Sequence, residues 1–186
     1  MSQVAIGQVK QALGAPVSDF SLTSVDDARS SLKAYLEGKK GAVVLFWSGV
    51  CSHCGRYDQY LNSFASQHPE IGFVAIASRQ DETPEEIRAT IAERKLTFPI
   101  LLDPGSRVAQ QWYAQQTPRA FLIDAGRILL YRGAIDNFRY SDDGEYVAYL
   151  EPAISQFLAG APVARGETPS FGCDIRSVYY SLPKML

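Results

Sequence analysis

The stretch Ala42-Val43-Val44-Leu45-Phe46-Trp47-Ser48-Gly49-Val50-Cys51-Ser52-His53-Cys54 decides how this chain of 186 residues is read. Its first six residues form a continuous apolar run, which suits a strand buried on both faces at the centre of a parallel sheet. Beyond it, Tyr57, Tyr60, Leu61 and Phe64 fall at i, i+3, i+4 and i+7, one face of a helix. Pro69 marks the end of that helix, and His68 before it reads as a solvated helix end. The two cysteines therefore sit where a central strand turns into a helix. In open α/β sheets, active groups lie beyond the carboxyl ends of such strands.

Two residues between cysteines on the first turn of a helix bring the sulfurs within bonding reach. The helix N-terminus carries roughly half a positive charge and unpaired N–H groups, both of which stabilise a thiolate at Cys51. Protonated His53 adds to that, with Ser52 beside it in the same turn. A thiolate is the species that attacks a disulfide, and Cys-x-x-Cys pairing lowers the nucleophile's pKa from about 8.5 to as little as ~3.5. Cys54 is then the resolving thiol, which releases the reduced substrate from the mixed disulfide. A stabilised thiolate favours the reduced form, so the pair is expected to be less reducing than one without a basic residue between its cysteines.

Strands and helices alternate outward from this centre. Asp19-Phe20-Ser21-Leu22 reads as a short edge strand, and Ala28 to Leu36 has helical spacing. Phe73 to Ala77 is a second buried strand. Thr83-Pro84-Glu85-Glu86 is a helix start with a capping box. Pro99 to Leu102 is a short strand with proline first, followed by a short helix from Ser106 to Tyr113. Thr117-Pro118 precedes a third apolar run, Ala120 to Ile123. Asp124-Ala125-Gly126-Arg127 has turn chemistry, and Ile128 to Arg132 returns as an antiparallel partner. Asp136 to Glu145 is polar loop, with Asp142-Asp143 a simple turn. A last helix runs over Leu150, Ile154, Phe157 and Leu158, with Pro152 either starting or kinking it. The order β-α-β-α-β-α-β-β-α implies an α/β fold: a parallel sheet with an antiparallel hairpin at one end. One domain spans 1–186, with a core of about 16–160 and a tail, 161–186, lying on it.

Composition agrees with a single soluble globular unit. Apolar residues make up 46% and charged residues 20%, ordinary values for such a domain. The net charge of −2 includes no long run of one sign, which points away from nucleic acid and acidic membranes as partners. No apolar run approaches ~18 residues, so no membrane-spanning helix is expected. Met1 to Lys10 lacks the basic and apolar regions of a signal peptide. The chain as given thus reads as cytoplasmic, or as periplasmic with a leader removed. Three cysteines are too few for a disulfide scaffold, and two at close spacing point to chemistry.

The segment Phe46 to Cys54 resembles the active-site segment of the thioredoxin superfamily, and Thr117-Pro118 resembles its cis-proline loop. Asp103 through Ala134, with Phe121-Leu122-Ile123-Asp124 and Tyr131-Arg132-Gly133-Ala134, resembles the redoxin branch of TlpA/ResA-type and AhpC/TSA-like thiol–disulfide proteins. Gly172-Cys173-Asp174-Ile175-Arg176 resembles a Gly-Cys-x-Ile-Lys ending of some redoxin-domain proteins. The resemblance covers about residues 16 to 176. It implies a thioredoxin-like central mixed sheet flanked by helices, with an N-terminal extension and a C-terminal tail. It also implies a cis Pro118 against the cysteine pair, with Thr117 offering its backbone to substrate. Trp47 either packs beside the site or is plain core. Thioredoxins carry a buried Asp where this chain has Leu45, and ResA-type proteins carry a Glu where it has Tyr57. Asp58 points about 100° away on the helix. No obvious carboxylate base is available.

The expected activity is thiol–disulfide oxidoreduction on protein disulfides or dithiols, with a redox partner protein and no cofactor. Two other readings stand beside it. A thiol peroxidase with antioxidant activity would match Ser48 to the Thr of Pro-x-x-x-Thr-x-x-Cys, although Val44 stands at the Pro position. A copper or zinc carrier would use Cys51, Cys54 and His53, because soft thiolates suit both metals. Cys173 is either an extra redox thiol, closing onto Cys54 or a partner chain, or a quiet thiol under the tail.

Overall fold

The computed structural model describes residues 10–139 and 144–176. Met1 to Val9 and Asp142-Asp143 lie outside the described residues. A seven-stranded mixed sheet runs in the order β2 (Arg29–Ser31), β1 (Ser21–Ser24), β5 (Ile100–Leu102), β4 (Ile71–Ala77), β3 (Gly41–Trp47), β7 (Arg119–Asp124), β8 (Leu129–Gly133). Its centre is β3 (Gly41–Trp47), paired parallel with β4 (Ile71–Ala77) and antiparallel with β7 (Arg119–Asp124). All seven residues of β3 and all seven of β4 are buried, as continuous apolar runs require when both faces are covered. Along β3 the side chains alternate between two cores. Val43, Leu45 and Trp47 join Leu61, Phe64 and Ile154 on one face. Ala42, Val44 and Phe46 join Leu32, Val108 and Trp112 on the other.

The helices follow the same division. α3 (Asp58–Gln67), α4 (Pro84–Glu93) and α6 (Leu150–Leu158) cover the first face through Phe64, Ile87 and Ile154, while α1 (Leu32–Leu36) and α5 (Arg107–Gln111) cover the second. The capping box that opens α4 is formed, with Thr83 accepting from Glu86 N–H and Glu86 accepting from Thr83 N–H. Pro152 lies in the first turn of α6, where its missing N–H costs nothing. β5 (Ile100–Leu102) continues the parallel set, and β8 (Leu129–Gly133) closes the far end antiparallel to β7.

Four expectations are corrected. The helix read over Ala28–Leu36 is only Leu32–Leu36; Arg29–Ser31 is β2, antiparallel to β1 (Ser21–Ser24). A turn with Asp27 in the left-handed region, φ 60°, folds the chain back before a helix can form. The first strand is therefore not the edge, since β2 lies outside it. The helix after the cysteines is broken: α2 (Ser52–Gly55) stops at Arg56, and α3 begins at Asp58. Finally, His68 is not solvated. Its ring packs on Phe64 at 4.7 Å and its Nε2 lies 2.9 Å from Glu151 Oε1.

The tail carries secondary structure of its own. β9 (Cys173–Asp174) pairs antiparallel with β6 (Gln116–Thr117). Ahead of it, Thr168 is buried, and its hydroxyl accepts from Ala134 N–H and meets the Tyr131 hydroxyl. Glu167 pairs with Arg132.

Candidate active site

Cys51 follows the carboxyl end of β3 by four residues and caps α2 with extended backbone, φ −82°, ψ 113°. It is 1% exposed and Cys54 is fully buried. Both are free thiols, as is Cys173. The Thr117–Pro118 peptide is cis. Its Thr117 carbonyl lies 3.3 Å from Cys51 Sγ.

Cys173 is brought to this point by register. It is the strand partner of Thr117, and the Thr117 hydroxyl lies 3.5 Å from Cys173 O. Ile175 anchors the far side: it is buried and donates its N–H to Gln115 O at 2.9 Å. Gly172 permits the approach. A Cβ there would stand 1.9 Å from Thr117 O and 3.3 Å from Pro118 Cδ.

The three thiols differ in charge. The Cys51 pKa is lowered to about 4, first by a hydrogen bond from the Cys54 thiol. Burial opposes this, and the Cys173 thiol, the Thr117 hydroxyl and the Cys54 backbone N–H assist it. Cys54 is pushed well above its ordinary value by burial, then by its bond to Cys51 and the charge there. Cys173 is pushed up to about 11 by burial and by the same bond and charge. Of the three thiols, Cys51 is thus the one that gives up its proton first, while Cys54 and Cys173 keep theirs. The helix that Cys51 caps, α2, is only four residues long.

The other predicted residues fall around this core. Ser52 is exposed at the first position of α2. The His53 ring stands edge-on to Phe171 of the tail, centroids 5.1 Å apart, and its backbone N–H points to the Cys173 sulfur. Trp47 is fully buried, edge-on to Phe98 and beneath Arg94, in the same packed cluster as Cys51 and Cys54. Pro118 is buried and borders a groove of about 350 Å³ with Tyr57, Ile135, Phe138, Tyr149 and Phe171.

Tyr57 and Asp58 offer no base to the thiols. The Tyr57 hydroxyl donates to buried Asp136 at 2.6 Å. Asp58 is held in a two-point pair by Arg94, whose Nη1 also donates to Gly49 O at 2.9 Å.

Two charged residues escaped the sequence reading, both from the loop after β4. Arg79, paired with Asp81, feels the charge of Cys51, and its own charge lowers the Cys173 pKa. Glu82 is 8% exposed, and its Oε1 accepts from Gly49 N–H at 2.7 Å. Gly49 must be small, since a Cβ would stand 2.6 Å from that oxygen. Burial raises the Glu82 pKa, while the Ser48 hydroxyl and the N–H groups of Gly49 and Val50 hold it down. No local pattern marked either residue, because each meets the site only through the sheet. Among the described residues no three His, Cys, Asp or Glu side chains are grouped to hold a metal.

Comparison with known proteins agrees with this architecture. The chain is 29% identical over 115 residues to the thiol–disulfide oxidoreductase ResA of a Bacillus cereus strain, covering 62% of this chain and 65% of that protein. It therefore spans just under two thirds of the length of that relative. It is 22% identical over 150 residues to the thiol:disulfide interchange protein DsbE of Allochromatium vinosum, covering 79% and 78%. The crystal structure of a hypothetical protein from Sinorhizobium meliloti 1021 superposes with a TM-score of 0.80 at 29% identity, over 90% of this chain and 95% of that one. The sheet and its flanking helices are thioredoxin-like. The family model for the AhpC/TSA family matches residues 13–132, well over half of the chain, and the protein belongs to that family.

Proposed function

We infer that the protein is a thiol–disulfide oxidoreductase that exchanges disulfides with protein substrates through Cys51-Ser52-His53-Cys54. The observation that carries this is the placement of the pair, Cys51 at the mouth of α2 with its sulfur 3.3 Å from the carbonyl of the cis Thr117–Pro118 peptide and Cys54 fully buried behind it; the Cys51 pKa is lowered to about 4 while that of Cys54 is raised. Cys51 attacks a substrate disulfide and forms a mixed disulfide. That step removes the negative charge which helped to hold Cys54 protonated, so Cys54 loses its proton more readily when it is needed as resolving thiol. Ser52 and His53 form the outer turn that substrate meets. Thr117 and Pro118 line the approach, and the groove beside Pro118 offers room for a peptide segment. The redoxin branch often works outside the cytoplasm, which favours that compartment for this chain.

The test is equilibration in glutathione redox buffers, with peptide mapping of the oxidised form. Titration of Cys51 and Cys54 as one two-electron couple is expected. A midpoint near −120 mV would mark an oxidant and one near −270 mV a reductant. Failure of the pair to form a disulfide would end this reading.

The thiol peroxidase reading is favoured by one observation. Cys51 is 1% exposed, which admits hydrogen peroxide more easily than a protein. Stopped-flow oxidation by peroxide separates the two: a fast reaction, far above that of a free thiol, would favour the peroxidase.

A further inference from the structure

The tail occupies a position that the exchange reaction needs. β9 pairs with the backbone of Thr117, beside the cis proline, and places Cys173 opposite Thr117. Thr117, its strand partner, is the residue whose carbonyl lies 3.3 Å from Cys51 Sγ, so the register brings the tail thiol to Cys51, and each of these two thiols shifts the other's pKa. Four contacts hold the segment there. Thr117 receives the strand, Gly172 lies against the Thr117 carbonyl, the His53 ring meets Phe171, and buried Ile175 closes the far end. Cys51 thus has a thiol on each of two sides, Cys54 from its own helix and Cys173 from the tail.

We propose that Cys173 is a second resolving thiol, forming a disulfide with Cys51 directly and carrying the oxidised state onto the tail. This rests on Cys51 being the nucleophile. In the first step the Cys51 thiolate attacks a disulfide R–S–S–R′. The Cys51–S–R bond forms, the S–S bond breaks, and R′–S⁻ leaves. In the second step Cys173 gives its proton to that leaving thiolate and attacks Cys51 Sγ. The Cys51–S–R bond breaks and R–S⁻ departs to take a proton from water. Two protein thiols become one disulfide, and both electrons end on the substrate thiols. Cys54 then attacks Cys51 Sγ, its proton passing to the departing Cys173 sulfur; the Cys51–Cys173 bond breaks, leaving Cys51–Cys54 oxidised and the tail reduced.

The charges suit this order. Two of the three influences that raise Cys173, the bond to Cys51 and its negative charge, vanish once Cys51 is in a mixed disulfide, while Arg79 continues to favour the Cys173 thiolate. Arg79, held by Asp81, is the charged group that acts on Cys173 from the loop after β4; His53 acts on it from α2 through its backbone N–H. A tethered thiol attacks at an effective concentration in the millimolar range.

The experiment uses the reduced Cys54→Ser protein with glutathione disulfide as the probe. Samples are quenched in acid and mapped under non-reducing conditions. A glutathione adduct on Cys51 is expected to appear and be replaced by a Cys51–Cys173 disulfide. In Cys54→Ser/Cys173→Ser the adduct is expected to persist about tenfold longer or more. Equal persistence in both variants overturns the role of Cys173 and leaves Cys51 as nucleophile. Absence of any adduct on Cys51, with both variants folded by circular dichroism, overturns both. Cys54 is fully buried, so serine there could unfold the chain. The wild-type protein gives an independent reading: acid quenching at successive early times of a limiting oxidation should trap a Cys51–Cys173 fraction before Cys54 exchanges with it, and its complete absence at every time overturns the proposal.

Discussion

A thiolate nearly closed off from water is held by its donors, and at Cys51 these can be ranked. The Cys54 thiol contributes most, the Cys173 thiol next, and the Thr117 hydroxyl after it, all against burial. Titration of the reduced protein by thiolate absorbance in the far ultraviolet should show one group with a midpoint near 4, with Cys173 near 11 and Cys54 higher than an ordinary thiol. Cys54→Ala should raise the low midpoint most, and Cys173→Ala by less. Equal midpoints in wild type and both variants would show that the donors named here do not set the charge. At this scale the sequence revealed Cys51 and Cys54, since their chemistry lies in a local spacing. It also revealed the proline before β7. It did not reveal the nearness of Cys173 to Cys51, which depends on strand register between residues far apart in the chain, nor Arg79 and Glu82, which reach the site from the neighbouring strand's loop.

Elements place these residues, and the shortest of them controls access. β6 and β9 have two residues each, so their pairing depends on close backbone approach at Gly172. Gly172→Ala puts a Cβ into the Thr117 carbonyl, which should lift β9 at a cost of about 1–3 kcal/mol. Cys51 should then react with an aromatic disulfide reagent about tenfold faster or more, a factor set by that cost, while far-ultraviolet circular dichroism stays unchanged. An unaltered rate would mean that the tail does not cover the thiolate. A second element depends on one carboxylate. Buried Asp103 accepts from Val108 and Ala109 N–H at 3.0 Å each and from the Ser78 hydroxyl at 2.8 Å, so it caps α5 and ties it to β4. Asp103→Ala orphans three buried donors and should cost roughly 2–3 kcal/mol in urea unfolding; a loss below about 0.5 kcal/mol would contradict that role. Long apolar runs and the Thr83 capping box were legible because their signals are local. Arg29–Ser31 was not, since its strand state comes from pairing with β1 after the Asp27 turn. The break between α2 and α3 was hidden because Tyr57, Leu61 and Phe64 keep the same buried face across it.

At the scale of the whole molecule, two buried ionisable groups give stability opposite pH dependences. Cys51 titrates near 4 when folded and at about 8.5 when unfolded. Between these values the unfolded chain binds the extra proton, so stability rises with pH. The contribution is fully present above the unfolded value and is lost as pH falls through about 4. Oxidation of Cys51 removes the titrating group, so this part of the slope should vanish in the disulfide form. Glu82 has the opposite sign, because burial raises its folded pKa. The folded state then holds the extra proton just above about pH 4.3, and stability falls as pH rises through the folded value. Glu82→Gln keeps an oxygen for the Gly49 N–H and removes the buried charge. At neutral pH it should stabilise the protein by about 1 kcal/mol, or roughly 2–4 °C in Tm for a chain of this size. Below about pH 4 the variant and the wild type should unfold together, both being neutral at this position. Thermal unfolding from about pH 3.5 to 8, with reduced and oxidised protein in parallel, reads both effects. Parallel curves for the two redox forms would refute the Cys51 contribution. A Glu82→Gln protein that is less stable at neutral pH would mean that the carboxylate holds the Ser48–Val50 loop more strongly than its burial opposes it.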